Sequence, residues 1–258
     1  MSSKGATNLV PQSSIESVWH AEKVRVTAFL TPGGELPDRG VWEQVVGEPP
    51  EKTTEQPRVG LVQCEGAFER GILALKLQLQ KLDWIYVVAP NRVGTDVPRL
   101  PVIGPASEAF DDLLSPIKVW LGSFSHVQRL AFGATVMQPA ENHEQGYEIV
   151  DHYLPDVTVD GQSSDLRYRV NWKRESNVLD NTYVNRLSSW SVARVRLIGI
   201  SGAGVQEIAG ADTFACNLEL DINTPAERDQ EIPSDRLVPM LDELVLLAKE
   251  IMESGAVR

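Results

Sequence analysis

Between Gly71 and Leu82 the chain reads GILALKLQLQKL, and Leu73, Leu75, Leu77 and Leu79 alternate with Ala74, Lys76, Gln78 and Gln80. A period of two puts successive side chains on opposite faces of an extended strand, so this segment has one face to bury and one to leave in water. A chain committed to such a strand must build a sheet around it and cover the leucine face. The neighbouring sequence supplies partners. PRVGLVQCEGAF (57–68) and DWIYVVAP (83–90) read as strands, with Lys81-Leu82-Asp83 as a tight connection, which makes an antiparallel meander. KVRVTAFL (23–30) sets Val24, Val26 and Ala28 on one side and reads as a strand as well.

The rest of the chain alternates between the two periodicities. Residues 1–22 are polar and irregular and read as a loose N-terminal arm. Prolines and glycines crowd residues 31–57 and mark a surface connection, with one helical turn at 41–46. From Ser107 to Phe124 the spacing is helical, through Phe110, Leu113, Leu114, Ile117, Trp120 and Leu121, and Pro116 is expected to kink or split that helix. HVQRLAFGATVMQP returns to strand, and ENHEQGYEIVDHYL reads as a short helix with Tyr147, Val150 and Leu154 on one side. A second β run follows: DLRYRVNW, TYVNRLSSWSVARVRLIGI and DTFACNLELDIN, the last with Phe214, Cys216, Leu218, Leu220 and Ile222 on one face. Ser234 is the expected N-cap of a closing helix whose stripe is Leu237, Leu241, Leu244, Ala248 and Ile251, and Gly255 is its stop. Runs of strands with helices between them predict an α+β fold, a largely antiparallel sheet with helices packed on one face. Residues 23–258 read as one such domain, with 23–124 and 125–258 as candidate half-domains.

A 258-residue chain that is 42% hydrophobic can bury a sizeable core. No apolar run approaches the ~20 residues of a membrane helix, and no signal core follows Lys4. The expected setting is the cytoplasm, with no membrane partner. Cys64 and Cys216 fall in strand patterns and read as buried thiols. The net charge of -12 disfavours general nucleic-acid binding, which wants a positive surface.

Against that acidic background one stretch is basic. From Arg167 to Arg196 lie Arg167, Arg169, Lys173, Arg174, Arg186, Arg194 and Arg196, opposed only by Glu175 and Asp180, with Trp172 and Trp190 among them. On extended strands Arg167 and Arg169 share a face, as do Arg194 and Arg196. Paired side by side they would form a positive sheet face, on which Trp190 could stack a ring. The candidate binding set is Arg167, Arg169, Lys173, Arg186, Trp190, Arg194 and Arg196. The competing reading is that these arginines neutralise carboxylates on adjacent strands.

Those carboxylates include Glu219 and Asp221, which share the outer face of NLELDINT with Asn217 and Asn223. Two such side chains could hold a hard cation with further oxygen ligands, or pair with Arg194 and Arg196. His143 and His152 stand nine positions apart, on opposite sides of a helix, which excludes a shared zinc site. GISGAGVQEIAG (199–210) lacks the lysine and the helix of a phosphate loop and reads as a hairpin loop. No Gly-x-Ser-x-Gly elbow occurs, and the sequence calls for no cofactor.

RLAFGATVMQP (129–139) and LELDINT (218–224), the second leading into the last helix, resemble a family of sporadically distributed bacterial proteins of unknown function. The resemblance spans roughly residues 105–255. The family's first motif has an Arg-x-Gly-Leu-Arg-Tyr pattern, where this chain has Ala131-Phe132-Gly133, and Asn223 stands where the family favours Asp. The resemblance implies a bacterial protein, of a kind that often travels with mobile or antiviral defence islands, and it implies no activity. Three readings follow from the residues. The first is a non-catalytic binding or assembly subunit whose basic sheet face takes a protein or phosphate-bearing partner. The second is a metal-dependent phosphodiesterase or nuclease using Glu219 and Asp221. The third is a structural homo-oligomer anchored by some of the six tryptophans.

Overall fold

The computed structural model describes residues 18–33, 37, 40–90, 100–158, 160, 163–196, 198–201, 204–207 and 212–256. Both β runs belong to one sheet of eleven strands. The first run contributes β1 (His20–Leu30), β2 (Lys52–Gln56), β3 (Leu61–Phe68), β4 (Gly71–Gln78) and β5 (Lys81–Val88). The short β6 (Gly104–Pro105) and the long β7 (Val127–Ala140) follow. The second run contributes β8 (Arg167–Asn171), β9 (Arg174–Glu175), β10 (Tyr183–Val195) and β13 (Thr213–Asn223). Across the sheet the order is β2-β3-β4-β5-β1-β7-β13-β10-β8, with β6 beside β1 and β9 beside β10. Every pairing is antiparallel. β11 (Ile198–Ser201) and β12 (Gly204–Glu207) form a separate hairpin in the glycine-rich segment.

The helices α1 (Gly40–Val46), α2 (Ala106–Gly122), α3 (His143–Tyr153) and α4 (Ser234–Ser254) cover one face. α2 packs on β1, and α3 and α4 pack on β7, β13 and β10. The expected stripes of α2 and α4 are buried in full, as are Val24, Val26, Leu73, Leu75, Leu130, Phe132, Leu218 and Ile222 of the sheet. Burial of those side chains, at about 25 cal/mol per Å² of apolar surface, is what holds the two layers together. Two tryptophan clusters anchor the seam. Trp42 stacks on Trp84 at 6.2 Å, which meets Trp120 edge-on, and Trp190 stacks on Tyr153 at 5.3 Å beside Trp19. Among the described residues no helix is long and apolar enough to cross a membrane.

Several expected boundaries move, each for a local reason. The loose arm cannot extend to residue 22. Trp19 is buried with its Nε1 donating to Met252 O, and β1 begins at His20. Residues 1–17 lie outside the described residues. The connection between β4 and β5 is Leu79-Gln80, not Lys81-Leu82-Asp83. A two-residue hairpin loop needs positive φ, and Leu79 takes it at 52° without a glycine to announce it. Leu79 is therefore 70% exposed and is no part of the leucine face. Residues 57–59 form a 3-10 turn ahead of β3, and β2 emerges from the proline-rich connection. α2 runs unbroken through Pro116. The N-cap of α4 is Pro233, and Ser234 is its first residue, with no side-chain cap bond. Cys64 and Cys216 are buried, as expected.

Candidate functional site

The parity of each strand decides which side chains face the helices and which face outward. Val24, Val26 and Ala28 of β1 point to the helix layer, so Lys23, Arg25, Thr27 and Phe29 point away from it. The register carries that assignment across the sheet. Lys23 lies opposite Thr135, and Thr135 opposite Glu219; Arg25 lies opposite Gly133, and Gly133 opposite Asp221. Farther on, Glu219 pairs with Ser189 and Ser189 with Arg169, while Asp221 pairs with Leu187 and Leu187 with Asn171. All of these outward-facing residues but Thr27, Phe29 and Asn171 line a depression of about 320 Å³ on the uncovered face, together with Arg167.

The depression exists because β7 presents only small side chains there, Gly133 and Thr135. Arg25 lies over Gly133, where a β-carbon would stand 3.4 Å from its Nε and Nη2. A carboxylate column on β13 flanks the floor on one side, and the Lys23 and Arg25 column flanks it on the other. Arg167 and Arg169 on β8 stand beyond the carboxylates. Arg167 Nη2 lies 3.5 Å from Glu219 Oε2, and its Nε donates to Ser189 Oγ at 3.3 Å. Asp221 Oδ1 accepts from Asn223 Nδ2 at 3.1 Å. Among the described residues no carboxylate lies within ion-pair distance of Lys23, Arg25 or Arg169. Next along the face, Arg129 sits 4.4 Å from the Phe29 ring centre and donates to Thr224 O. Burial lowers its pKa, which nearby Glu227 and Asp221 oppose. At the rim, burial raises the pKa of Glu22; Lys23 opposes that shift and Glu219 adds to it.

The expected basic face divides into four places. Arg167 and Arg169 are on the open face as read. Lys173 is exposed on the link between β8 and β9. Arg186 and Trp190 are corrected inward: they are 2% and 0% exposed, opposite Ile222 and Leu218 on the helix side. Arg186 Nη2 lies 3.6 Å from Glu250 Oε2, which also meets Arg174 Nη1 at 2.5 Å. Burial lowers the pKa of Arg186, neighbouring Arg174 adds to that, and Glu250 opposes it. Trp190 is a core ring and cannot stack a ligand. Arg194 shares the parity of Trp190 and, with Arg196, grips Asp212 at the far end of β10, at 3.2 Å in the case of Arg196. That grip, the hydrogen bond from Arg194 first, holds the Asp212 carboxyl below its usual range. The expected pairing of Arg194 and Arg196 with Glu219 and Asp221 is thereby replaced by one with Asp212.

The physical reason is the sequence NRLSSWS in β10. It puts an arginine inward and a leucine outward, with serines on both faces, so its polarity does not declare a face. What the sequence reading missed, Lys23 and Arg25, was visible as the wet side of an alternating strand. Their neighbourhood was not, because it depends on pairing with residues more than a hundred positions away. Glu219 and Asp221 share the open face as read. Among the described residues no cluster of three or more His, Cys, Asp or Glu could hold a metal ion. No protein-family model and no curated protein matches the chain.

Proposed function

We propose that the protein is a non-catalytic binding or assembly module that docks a charged protein partner on the open face of its sheet. The observation that carries this reading is the depression along β7. Its floor is small, and Lys23, Arg25 and Arg169 stand around it with no carboxylate in ion-pair reach among the described residues. The strands fix the backbone beneath these cations, so docking has to order their side chains alone. The lining joins Lys23, Arg25, Arg167 and Arg169 to Glu219 and Asp221 across small neutral side chains.

Amine acetylation read by mass spectrometry tests the reading. Lys23 faces the depression, whereas Lys173 is exposed outside it. In cell extract and in concentrated pure protein at low salt, Lys23 is expected to react several-fold more slowly than Lys173, and 1 M salt should abolish the difference. Equal reactivity of both lysines under every condition would overturn the proposal.

A further inference from the structure

Resting on that reading, we infer that the occupant of the open face is a second copy of this chain, docked face to face about a two-fold axis along β7. The symmetry is legible in the register. Lys23 and Glu219 flank Thr135 in one row, and Arg25 and Asp221 flank Gly133 in the next. A two-fold axis lying in the interface and parallel to β7 keeps each row at its own height and exchanges its two sides. Lys23 of one copy then faces Glu219 of the other, and Arg25 faces Asp221. Each pair occurs twice, as an isologous contact requires.

The axis and the next apolar pair fit the same operation, while Arg169, farther out on β8, comes over Ile72 of β4. Residues on the axis meet their own counterparts, and there the chain carries Ala131, Gly133 and Thr135, which let two sheets approach. Sheets stacked in sandwiches stand about 10 Å apart, close enough for these side chains to interdigitate. One strand farther out, Leu187 of β10 comes over Ile85 of β5, apolar on apolar. Arg129, which would approach its own copy at one end of the column, is drawn sideways onto the Phe29 ring. The five strands from β5 to β10 span roughly 24 Å, and eight residues along them roughly 27 Å, so about 650 Å² per copy is available, near the lower bound for a stable interface. A uniformly anionic ligand fits less well, because the Glu219 and Asp221 column stands in the middle of the cations and would repel it.

Light scattering on the eluting full-length protein, with charge-reversed variants, tests this. The wild type is expected to have twice the chain mass at micromolar concentration and low salt. The pair Lys23→Glu with Arg25→Glu, or the pair Glu219→Lys with Asp221→Lys, sets like charges opposite each other, and each should weaken self-association about 100-fold or more. Mixing the two variant proteins should restore a dimer, because every facing pair is then opposite in sign. If a variant fails to fold, carbodiimide coupling of mixed light and heavy-isotope wild type replaces it: a Lys23–Glu219 amide joining light to heavy chains is expected. A monomeric wild type whose Lys23 is nonetheless protected from acetylation overturns this inference and leaves the docking reading standing, with another protein as occupant. A monomer with Lys23 unprotected overturns both. A dimer indifferent to both variants, or one giving no mixed-isotope amide, associates by another surface and also overturns it.

Discussion

Gly146 provides a direct test of which way β10 faces. A β-carbon at this position of α3 would stand 2.7 Å from Val192 Cγ1 and 3.2 Å from its Cγ2. Val192 has the parity of Arg186 and Trp190, so the contact exists only if that face of β10 lies under the helices. Two effects of Gly146→Ala oppose each other. Alanine in place of glycine in a helix gains about 0.5–1 kcal/mol. Forcing a methyl group into a filled contact costs about 1–3 kcal/mol. The steric effect should win, for a net loss of about 1–2 kcal/mol. Val192→Ala alone should lose about 1 kcal/mol, since the side chain is only partly buried. In the double variant the clash is gone and the helix gain remains, so its stability should return close to wild type, a coupling of at least about 1 kcal/mol. Urea unfolding followed by tryptophan fluorescence gives all four values, provided the slope with urea is unchanged. If Gly146→Ala instead stabilises by the full helix gain, α3 is not pressed on β10. The inward placement of Arg186 and Trp190 would then be wrong.

Three further outcomes are expected. Leu79→Gly should stabilise the protein by up to about 1 kcal/mol, because Leu79 holds φ at 52° while 70% exposed; a loss of stability in thermal unfolding would contradict the turn. Glu22 has a pKa raised above 4.5, chiefly by burial, so the folded state holds its proton more tightly than the unfolded chain. Its contribution is present below pH 4.5 and is lost as pH rises through the folded value; Glu22→Gln should flatten that part of the stability-versus-pH curve, and an unchanged curve would count against the burial. Burial pushes the Cys216 thiol up to about 12, and Cys64 is equally enclosed. An aromatic disulfide reagent should therefore modify neither at neutral pH until urea is added, and fast labelling of native protein would refute the core assignment.

The sequence reveals faces more readily than neighbours. In β1, β4 and β13 apolar and polar residues alternate steeply, so their buried sides follow from period two, and the stripes of α2 and α4 follow from 3.6. In β10 the contrast is weak and even inverted, because Arg186 goes in and Leu187 comes out; only the pairing of Trp190 with Leu218 resolves it. The turn at Leu79 carries none of the usual turn residues, and β2 hides among prolines. The candidate site was half visible: Arg167, Arg169, Glu219 and Asp221 were readable as outward-facing, while Lys23 and Arg25 join them only through β7. Such adjacency is a property of long-range pairing, which no local pattern encodes.

The place of β13 has a consequence for how this molecule is made. It is the last strand among the described residues, yet it lies between β7 and β10 in the interior of the sheet. Until residue 223 has left the ribosome, β7 and the β8–β10 hairpin each present a row of unpaired backbone groups with nothing to join them. Such edges recruit strands from other chains. Synthesis therefore passes through a long interval in which the amino-terminal half is ready to pair and its proper partner does not yet exist. Chains halted after β7 and before the end of β13, between residues 140 and 223, should be the ones that aggregate.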